Sequence, residues 1–206
     1  MENNFTEQDS LKVINEMISQ ARNNFQNRNV TPAIFCGYVV AATAFANFAL
    51  LHTLENPVQS FWIWLVMIPM VIISSAISRK YKKQVMVKTH IDKIVSYIWI
   101  AFPISVAIFL VTVYGAAFAL KSDYLGVLIT PVILTMMGTA QFTTSIACRF
   151  KPYFYGTLVF WAGALLCTVS YLFGWMDLQF IILGTCAILG LCVPGHVANK
   201  KAEQNV

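Results

Sequence analysis

Long apolar runs separated by short polar stretches make up most of this chain. Six runs occur, each close to the ~20 residues that an α-helix needs to cross a hydrocarbon layer ~30 Å thick. They lie at about residues 32–53, 60–78, 94–120, 125–148, 153–175 and 178–197. The pattern predicts an all-α protein, a polytopic bundle of six transmembrane helices with short connections.

The segment before the first run has a different pattern. Leu11, Ile14, Ile18 and Phe25 recur at helical spacing, with charged and amide side chains between them, which predicts an amphipathic helix. Its charges nearly cancel, so it lacks the Lys-rich face of a helix that lies on lipid. We expect this docking stripe to contact protein, either the chain's own bundle or a partner.

Cations are distributed unevenly between the two sides of the six spans. Of the fourteen Lys and Arg residues, all except Lys121 precede span one, follow span six, or flank and fill the connections after spans two and four. Loops rich in Lys and Arg remain on the cytoplasmic side of a membrane. The distribution therefore predicts that both termini are cytoplasmic.

The connection after span two holds the densest group of cations. Each cation near an anionic membrane surface gains about 1 kcal/mol, so we expect contact with anionic lipid headgroups here. The candidate contacts are Arg79, Lys80, Lys82, Lys83 and Lys88.

Three regions follow from these patterns. Residues 1–30 form the amphipathic helix and a linker, residues 31–198 the six-span membrane domain, and residues 199–206 a cytoplasmic tail. Composition indicates a membrane protein, because 58% of the residues are hydrophobic and 11% are charged, against about 25% charged in soluble domains. The net charge of +5 is explained by the cytoplasmic flanks and does not indicate nucleic-acid binding.

No pattern in the sequence indicates catalysis. The six runs contain no Asp, Glu, Lys or Arg away from their ends, although ionisable groups inside a membrane usually mark function. The five cysteines lie inside apolar runs without a CxxC or Cys/His cluster, and the three histidines lie near span ends. We therefore expect no enzymatic activity, no cofactor and no metal site.

Uncharged polar residues do occur within the spans, and Asn47, Gln141, Thr144 and Thr168 are the candidates singled out. By helix rise, Asn47 should lie about 7 Å on the outer side of the midplane and Gln141 about 6 Å on the inner side, so we expect no single compact site. Two interpretations stay open: hydrogen bonding between helices, or a polar path for a small neutral solute.

Glycine and proline add two structural signals. Gly156, Gly163, Gly184 and Gly190 permit close approach of helices, without forming a GxxxG motif. Proline in a helix frees a carbonyl group, and Pro194 does so near the end of span six.

The segments TEQDSLKVINEMI, ACRFKPYFYG and VPGHVANK resemble a group of small bacterial inner-membrane proteins with six spans. The resemblance implies the architecture and an inner-membrane location, and it carries no catalytic or ligand-binding residue. We expect a non-enzymatic accessory or regulatory subunit that associates with a protein partner or with a second copy. The alternative is a small transporter or channel component for a neutral or lipid-like solute.

Overall fold

Helices form almost the whole described chain, because a backbone in lipid must satisfy its N–H and C=O groups internally. The computed structural model describes residues 7–82 and 90–203, with the side chains of residues 11–13, 31–80, 93–122 and 124–200. The α-helices are α1 Glu7–Thr53, α2 Met67–Lys82, α3 His90–Leu120, α4 Ile129–Cys148, α5 Lys151–Leu172, α6 Leu178–Ala187 and α7 Val193–Glu203.

Two 3₁₀ helices and one π-helix complete the described elements. They are Pro57–Val66 before α2, Asp123–Leu128 before α4, and the π-helix Ile188–Cys192 between α6 and α7.

Six stretches of these helices are long and apolar enough to span a membrane, so the predicted six-span bundle is confirmed. Spans one to six are Thr31–Thr53, Pro57–Lys80, Lys93–Leu120, Tyr124–Cys148, Lys151–Leu172 and Leu178–Lys200. Span five ends at Leu172, a few residues earlier than expected, because the chain turns at Phe173 and at Gly174, whose φ is +77°.

The first helix differs from the expected division of the N-terminal region. A linker was expected before residue 31, but the backbone is helical without interruption from Glu7 to Thr53 and includes Pro32. No glycine occurs in residues 7–31, so the segment contains none of the residues that most favour a helix end. A buried proline is also tolerated in a membrane helix, where neighbouring groups can satisfy the freed carbonyl.

An apolar cluster lies at one end of the bundle, where several spans begin or end. Val95 at the start of span three packs with Cys148 at the end of span four, Tyr153 at the start of span five and Ala198 at the end of span six. Ile34, near the start of span one, packs against the same cluster. We call this the basic end, because Lys93, Arg149, Lys151 and Lys200 flank these residues in the sequence.

Successive spans pack on one another around the bundle, with one break. Span one packs on spans two and six, span five on spans four and six, and span three on span four. Comparable packing between spans two and three is missing among the described residues. We call this break the seam.

The tightest packing joins spans four, five and six. Leu134, Met137, Phe160, Cys167 and Leu191 belong to one buried cluster drawn from these three spans. Gly163 and Gly190 permit the close approach: a Cβ added at Gly163 would lie 2.3 Å from Cys186 Sγ, and one at Gly190 would lie 2.5 Å from the Phe160 ring. Close approach at glycines, expected from the sequence, is therefore confirmed.

Candidate functional site

A buried amide at the contact of spans four, five and six is the most distinctive polar feature of the bundle. Gln141 in α4 is 2% exposed. Its Nε2 donates a hydrogen bond of 2.6 Å to the Gly190 carbonyl oxygen in span six. This bond joins spans four and six next to Leu191 of their apolar cluster.

The carbonyl that Gln141 binds is available because of local backbone geometry. Pro194 lies four residues after Gly190 and has no N–H, so it cannot close the usual α-helical bond to this oxygen. The helix widens here into the π-helix Ile188–Cys192, in which the Val193 N–H donates to the Ile188 carbonyl, five residues back. The amide of Gln141 therefore donates to a carbonyl that lacks its usual α-helical donor.

Span five completes this site through Gly156. A Cβ added at Gly156 would lie 2.4 Å from Gln141 Nε2, 2.5 Å from the Gly190 oxygen and 3.2 Å from Pro194 Cγ. Only a residue without a side chain fits against the amide and the carbonyl at this point. We call Gln141, Gly156, Gly190 and Pro194 the amide site.

One polar atom of the amide site has no partner. Among the described residues, Gln141 Oε1 is the only buried side-chain oxygen or nitrogen without a hydrogen bond. A buried acceptor without a donor costs about 1–3 kcal/mol. The site therefore offers one unsatisfied acceptor in an apolar surrounding.

A second buried amide joins spans one and two. Asn47 is fully buried, and one orientation of its amide satisfies both ends. In that orientation Nδ2 donates to the carbonyl and hydroxyl oxygens of Ser60, both at 3.0 Å, and Oδ1 accepts from Trp64 Nε1 at 3.2 Å. The Ser60 hydroxyl donates to the Pro57 carbonyl at 2.7 Å, which leaves its oxygen free to accept from Asn47.

The other two polar candidates bond within their own helices. Thr144 is buried and donates to the Ala140 carbonyl at 2.8 Å. Thr168 is exposed on the surface of span five and donates to the Ala164 carbonyl at 3.2 Å. The structure thus gives Asn47 and Gln141 different partners and places Thr168 on the outer surface.

Further polar pairs link span one to span six at both ends. At the basic end, the Tyr38 hydroxyl and His196 Nε2 are hydrogen-bonded at 3.0 Å. At the opposite end, His52 Nε2 lies 3.8 Å from Asp177 Oδ2. Both residues of the second pair are more than half exposed, and an exposed ion pair contributes about 0–1 kcal/mol.

Three of the four residues of the predicted docking stripe and three of the five predicted lipid contacts have side chains that the structure does not describe. Leu11 is 60% exposed, whereas Ile14, Ile18 and Phe25 are helical in α1 with side chains that the structure does not describe. Arg79 and Lys80 are exposed at the end of span two. The side chain of Lys82 and the whole of Lys83 and Lys88 fall outside the described part of the chain.

Spans two and three leave most of their surface uncovered. Only 6% of the most apolar window of each is buried, against 28–50% in the other four spans. On span three, small residues recur every three, four or seven residues along exposed positions. They are Ala101, Ser105, Thr112, Gly115 and Ala119.

Sequence reasoning missed the partners of both buried amides. Neither Ser60 nor Trp64 was predicted as a hydrogen-bond partner, and the Gly190 carbonyl cannot be recognised as an acceptor from its residue type. A signal was present in Pro194, which frees the carbonyl four residues before it. Three comparisons, with family models, curated proteins and solved structures, found no match to this chain.

Proposed function

We propose that this protein acts by association within the membrane, as an accessory or regulatory subunit. The observation that carries the proposal is the low burial of spans two and three, in each of which only 6% of the most apolar window is buried. The seam between these two spans adds to it. A membrane assembly in which another helix packs at this seam would cover surface that the bundle itself leaves free.

The exposed small residues of span three support this proposal. Helices associate in lipid by close packing, and small residues at the contact allow the backbones to approach. Gly115 has open space around its Cα, because an added Cβ would meet no atom within 4 Å. A glycine in a helix interior costs about 1 kcal/mol relative to alanine, and a packed partner would compensate for that cost.

The orientation we propose places the basic end and both termini in the cytoplasm of a bacterium, with the bundle in the inner membrane. Lys93, Arg149, Lys151 and Lys200 flank the basic end, whereas Lys121 lies in a connection at the opposite end. Cations on one side favour cytoplasmic retention of that side. Arg79 and Lys80, exposed at the end of span two, would then face anionic lipid headgroups.

Site-specific photocrosslinking in intact cells tests the association. A benzophenone amino acid would replace Ile72 in span two, Ile108 in span three or Leu165 in span five. These side chains are 64%, 63% and 70% exposed, so all three meet the surroundings of the bundle to a similar degree. Leu165 is therefore the matched control.

We expect a protein adduct of one defined size at Ile72 and Ile108, and none at Leu165. An adduct of twice the chain's mass would identify a second copy as the partner, and any other size would identify a different subunit. If all three positions form lipid adducts alone, or if Leu165 gives the same protein adduct, association through spans two and three is refuted.

A second candidate function, passage of a neutral or lipid-like solute, is favoured by the irregular helices. Span two begins as a 3₁₀ helix and span six contains a π-helix, and such departures often occur at functional sites. The test is reaction of Asn47→Cys and Gln141→Cys with a water-soluble thiol reagent, in a protein whose native cysteines are replaced by alanine. Reaction at both positions would support a water-filled path, and protection of both would exclude it.

A further inference from the structure

A histidine and a carboxylate face each other where span one ends and span six begins. His52 Nε2 lies 3.8 Å from Asp177 Oδ2, and His52 belongs to the last turn of α1. Asp177 directly precedes Leu178, the first residue of α6. The C-terminal end of a helix favours a positive charge and the N-terminal end a negative one, so this pair has the polarity that both helix ends favour.

The other ring nitrogen of the histidine determines what Nε2 can do. His52 Nδ1 lies 2.9 Å from the Phe48 carbonyl oxygen, which can only accept a hydrogen bond, so Nδ1 carries the hydrogen in this contact. The Phe48 ring also packs against the imidazole, with ring centroids 4.7 Å apart. A neutral imidazole has a single N–H group. Neutral His52 therefore presents the lone pair of Nε2 to the Asp177 carboxylate.

Protonation of the imidazole reverses the character of this contact. Neutral His52 and ionised Asp177 bring two hydrogen-bond acceptors together, whereas the imidazolium offers an N–H at Nε2 and a positive charge. Unperturbed imidazole groups change charge between about pH 5 and pH 8, a range in which unperturbed carboxyl groups are ionised. The contact is therefore attractive at the acidic end of this range and lost at the alkaline end.

Few other titratable groups lie near this pair. Glu55, in the connection after α1, is exposed and forms no ion pair among the described residues. The 3₁₀ helix Pro57–Val66 and α6, which both pack on α1, contain no Asp, Glu, Lys, Arg or His. The thiols of α6 and of the π-helix, Cys186 and Cys192, are buried. The charged residues of α2 and α7 lie at the basic end, so Asp177 and Glu55 are the two carboxylates that His52 can meet.

We propose that His52 and Asp177 form a pH-sensitive clasp between spans one and six. Acid closes the clasp by protonating His52, and alkali releases it. Span one already packs on span six, so the clasp strengthens an existing contact. In the orientation proposed above, the clasp lies on the side away from the cytoplasm and responds to the pH outside. It involves neither the seam nor a partner, so its test is independent of the proposed association.

A double-mutant cycle at two pH values isolates the clasp. His52→Asn keeps an N–H donor for the Phe48 carbonyl and cannot become charged, and Asp177→Asn removes the carboxylate. The full-length wild-type protein, the two single variants and the double variant are unfolded by SDS in mixed micelles at about pH 5 and at about pH 8. The cycle cancels the effects that each substitution has by itself. Both positions are more than half exposed, so all four proteins should fold.

We expect the cycle to show a coupling of about two- to fivefold in the unfolding equilibrium constant at about pH 5, the range typical of exposed ion pairs. At about pH 8 the coupling should vanish. A cycle of His52→Asn with Glu55→Gln is the matched control, because Glu55 is an exposed carboxylate three residues away in the sequence. Its coupling should be smaller than that of Asp177 at the acidic pH.

Three results would overturn the proposal. Equal coupling of His52 and Asp177 at both pH values would show that the contact does not depend on protonation. Absence of coupling at the acidic pH would show that the two groups form no clasp. A larger coupling of His52 with Glu55 than with Asp177 would show that the histidine pairs with the carboxylate of its own connection and leaves span six free.

Discussion

Gly156→Ala tests the packing of the amide site directly. The added Cβ would lie 2.4 Å from Gln141 Nε2 and 2.5 Å from the Gly190 carbonyl oxygen. The amide could rotate away, but the carbonyl belongs to the backbone of span six and moves only if spans five and six separate. The substitution should therefore break the bond between spans four and six and loosen the contact of span five.

The expected loss of stability follows from three contributions. Overpacking costs about 1–3 kcal/mol, and loss of the hydrogen bond costs about 0.6 kcal/mol in a membrane protein. Alanine is favoured over glycine in a helix by about 1 kcal/mol, which acts in the opposite direction. The net decrease in the free energy of unfolding is about 0.6–2.6 kcal/mol.

Unfolding of purified protein by SDS in mixed micelles, followed by circular dichroism, measures this decrease. Gly115→Ala is the matched control, since an added Cβ there meets no atom within 4 Å. The control should be unchanged or more stable by up to about 1 kcal/mol. If Gly156→Ala is as stable as Gly115→Ala, spans four, five and six do not pack at the amide site as described.

The remaining predictions concern other parts of the chain. Asn47→Leu should lower stability by about 1–3 kcal/mol, because it leaves the Trp64 Nε1–H without its acceptor and the Ser60 carbonyl without this donor. Thr168→Val, whose hydroxyl bonds only within its own helix, should have little effect in the same SDS titration. Alkaline phosphatase, which is active only outside the cytoplasm, should be inactive when fused after residue 85 and active after residue 55, and the reverse would contradict the proposed orientation. Ile14→Asp should lower the melting temperature moderately if the N-terminal helix packs on its own bundle. If the helix instead binds a partner, the substitution should abolish co-purification of that partner. A variant that shows neither effect would exclude this helix from the function.

The six spans could be predicted because their apolar runs are as long as a membrane-crossing helix requires. Span boundaries agreed within a few residues, since polar residues such as Glu55 and Asp177 end the runs clearly. Burial of Asn47 and Gln141 within the bundle is consistent with the rule that amides in lipid find polar partners.

The partners of these amides could not be predicted. Gln141 binds a backbone carbonyl, and every residue has one, so residue type gives no indication of which carbonyl is free. Gly190 lies in a π-helix and packs against Phe160 of span five, and neither feature can be read from residue types alone. The backbone before residue 31, where a linker was predicted, belongs to the continuous helix Glu7–Thr53.

The 3₁₀ helix Pro57–Val66 has a consequence for how span two fits the thickness of a bilayer. Between Ser60 and Ser78, residues 61–77 are apolar except for Ser74 and Ser75, and six of them belong to the 3₁₀ helix and eleven to α2. As a continuous α-helix these 17 residues would extend about 26 Å, short of a hydrocarbon layer of about 30 Å. A 3₁₀ helix rises about 2.0 Å per residue, which lengthens the stretch to about 29 Å. The 3₁₀ geometry therefore brings this stretch close to the thickness of the layer, and a change of its six 3₁₀ residues to α-helix would shorten it by about 3 Å.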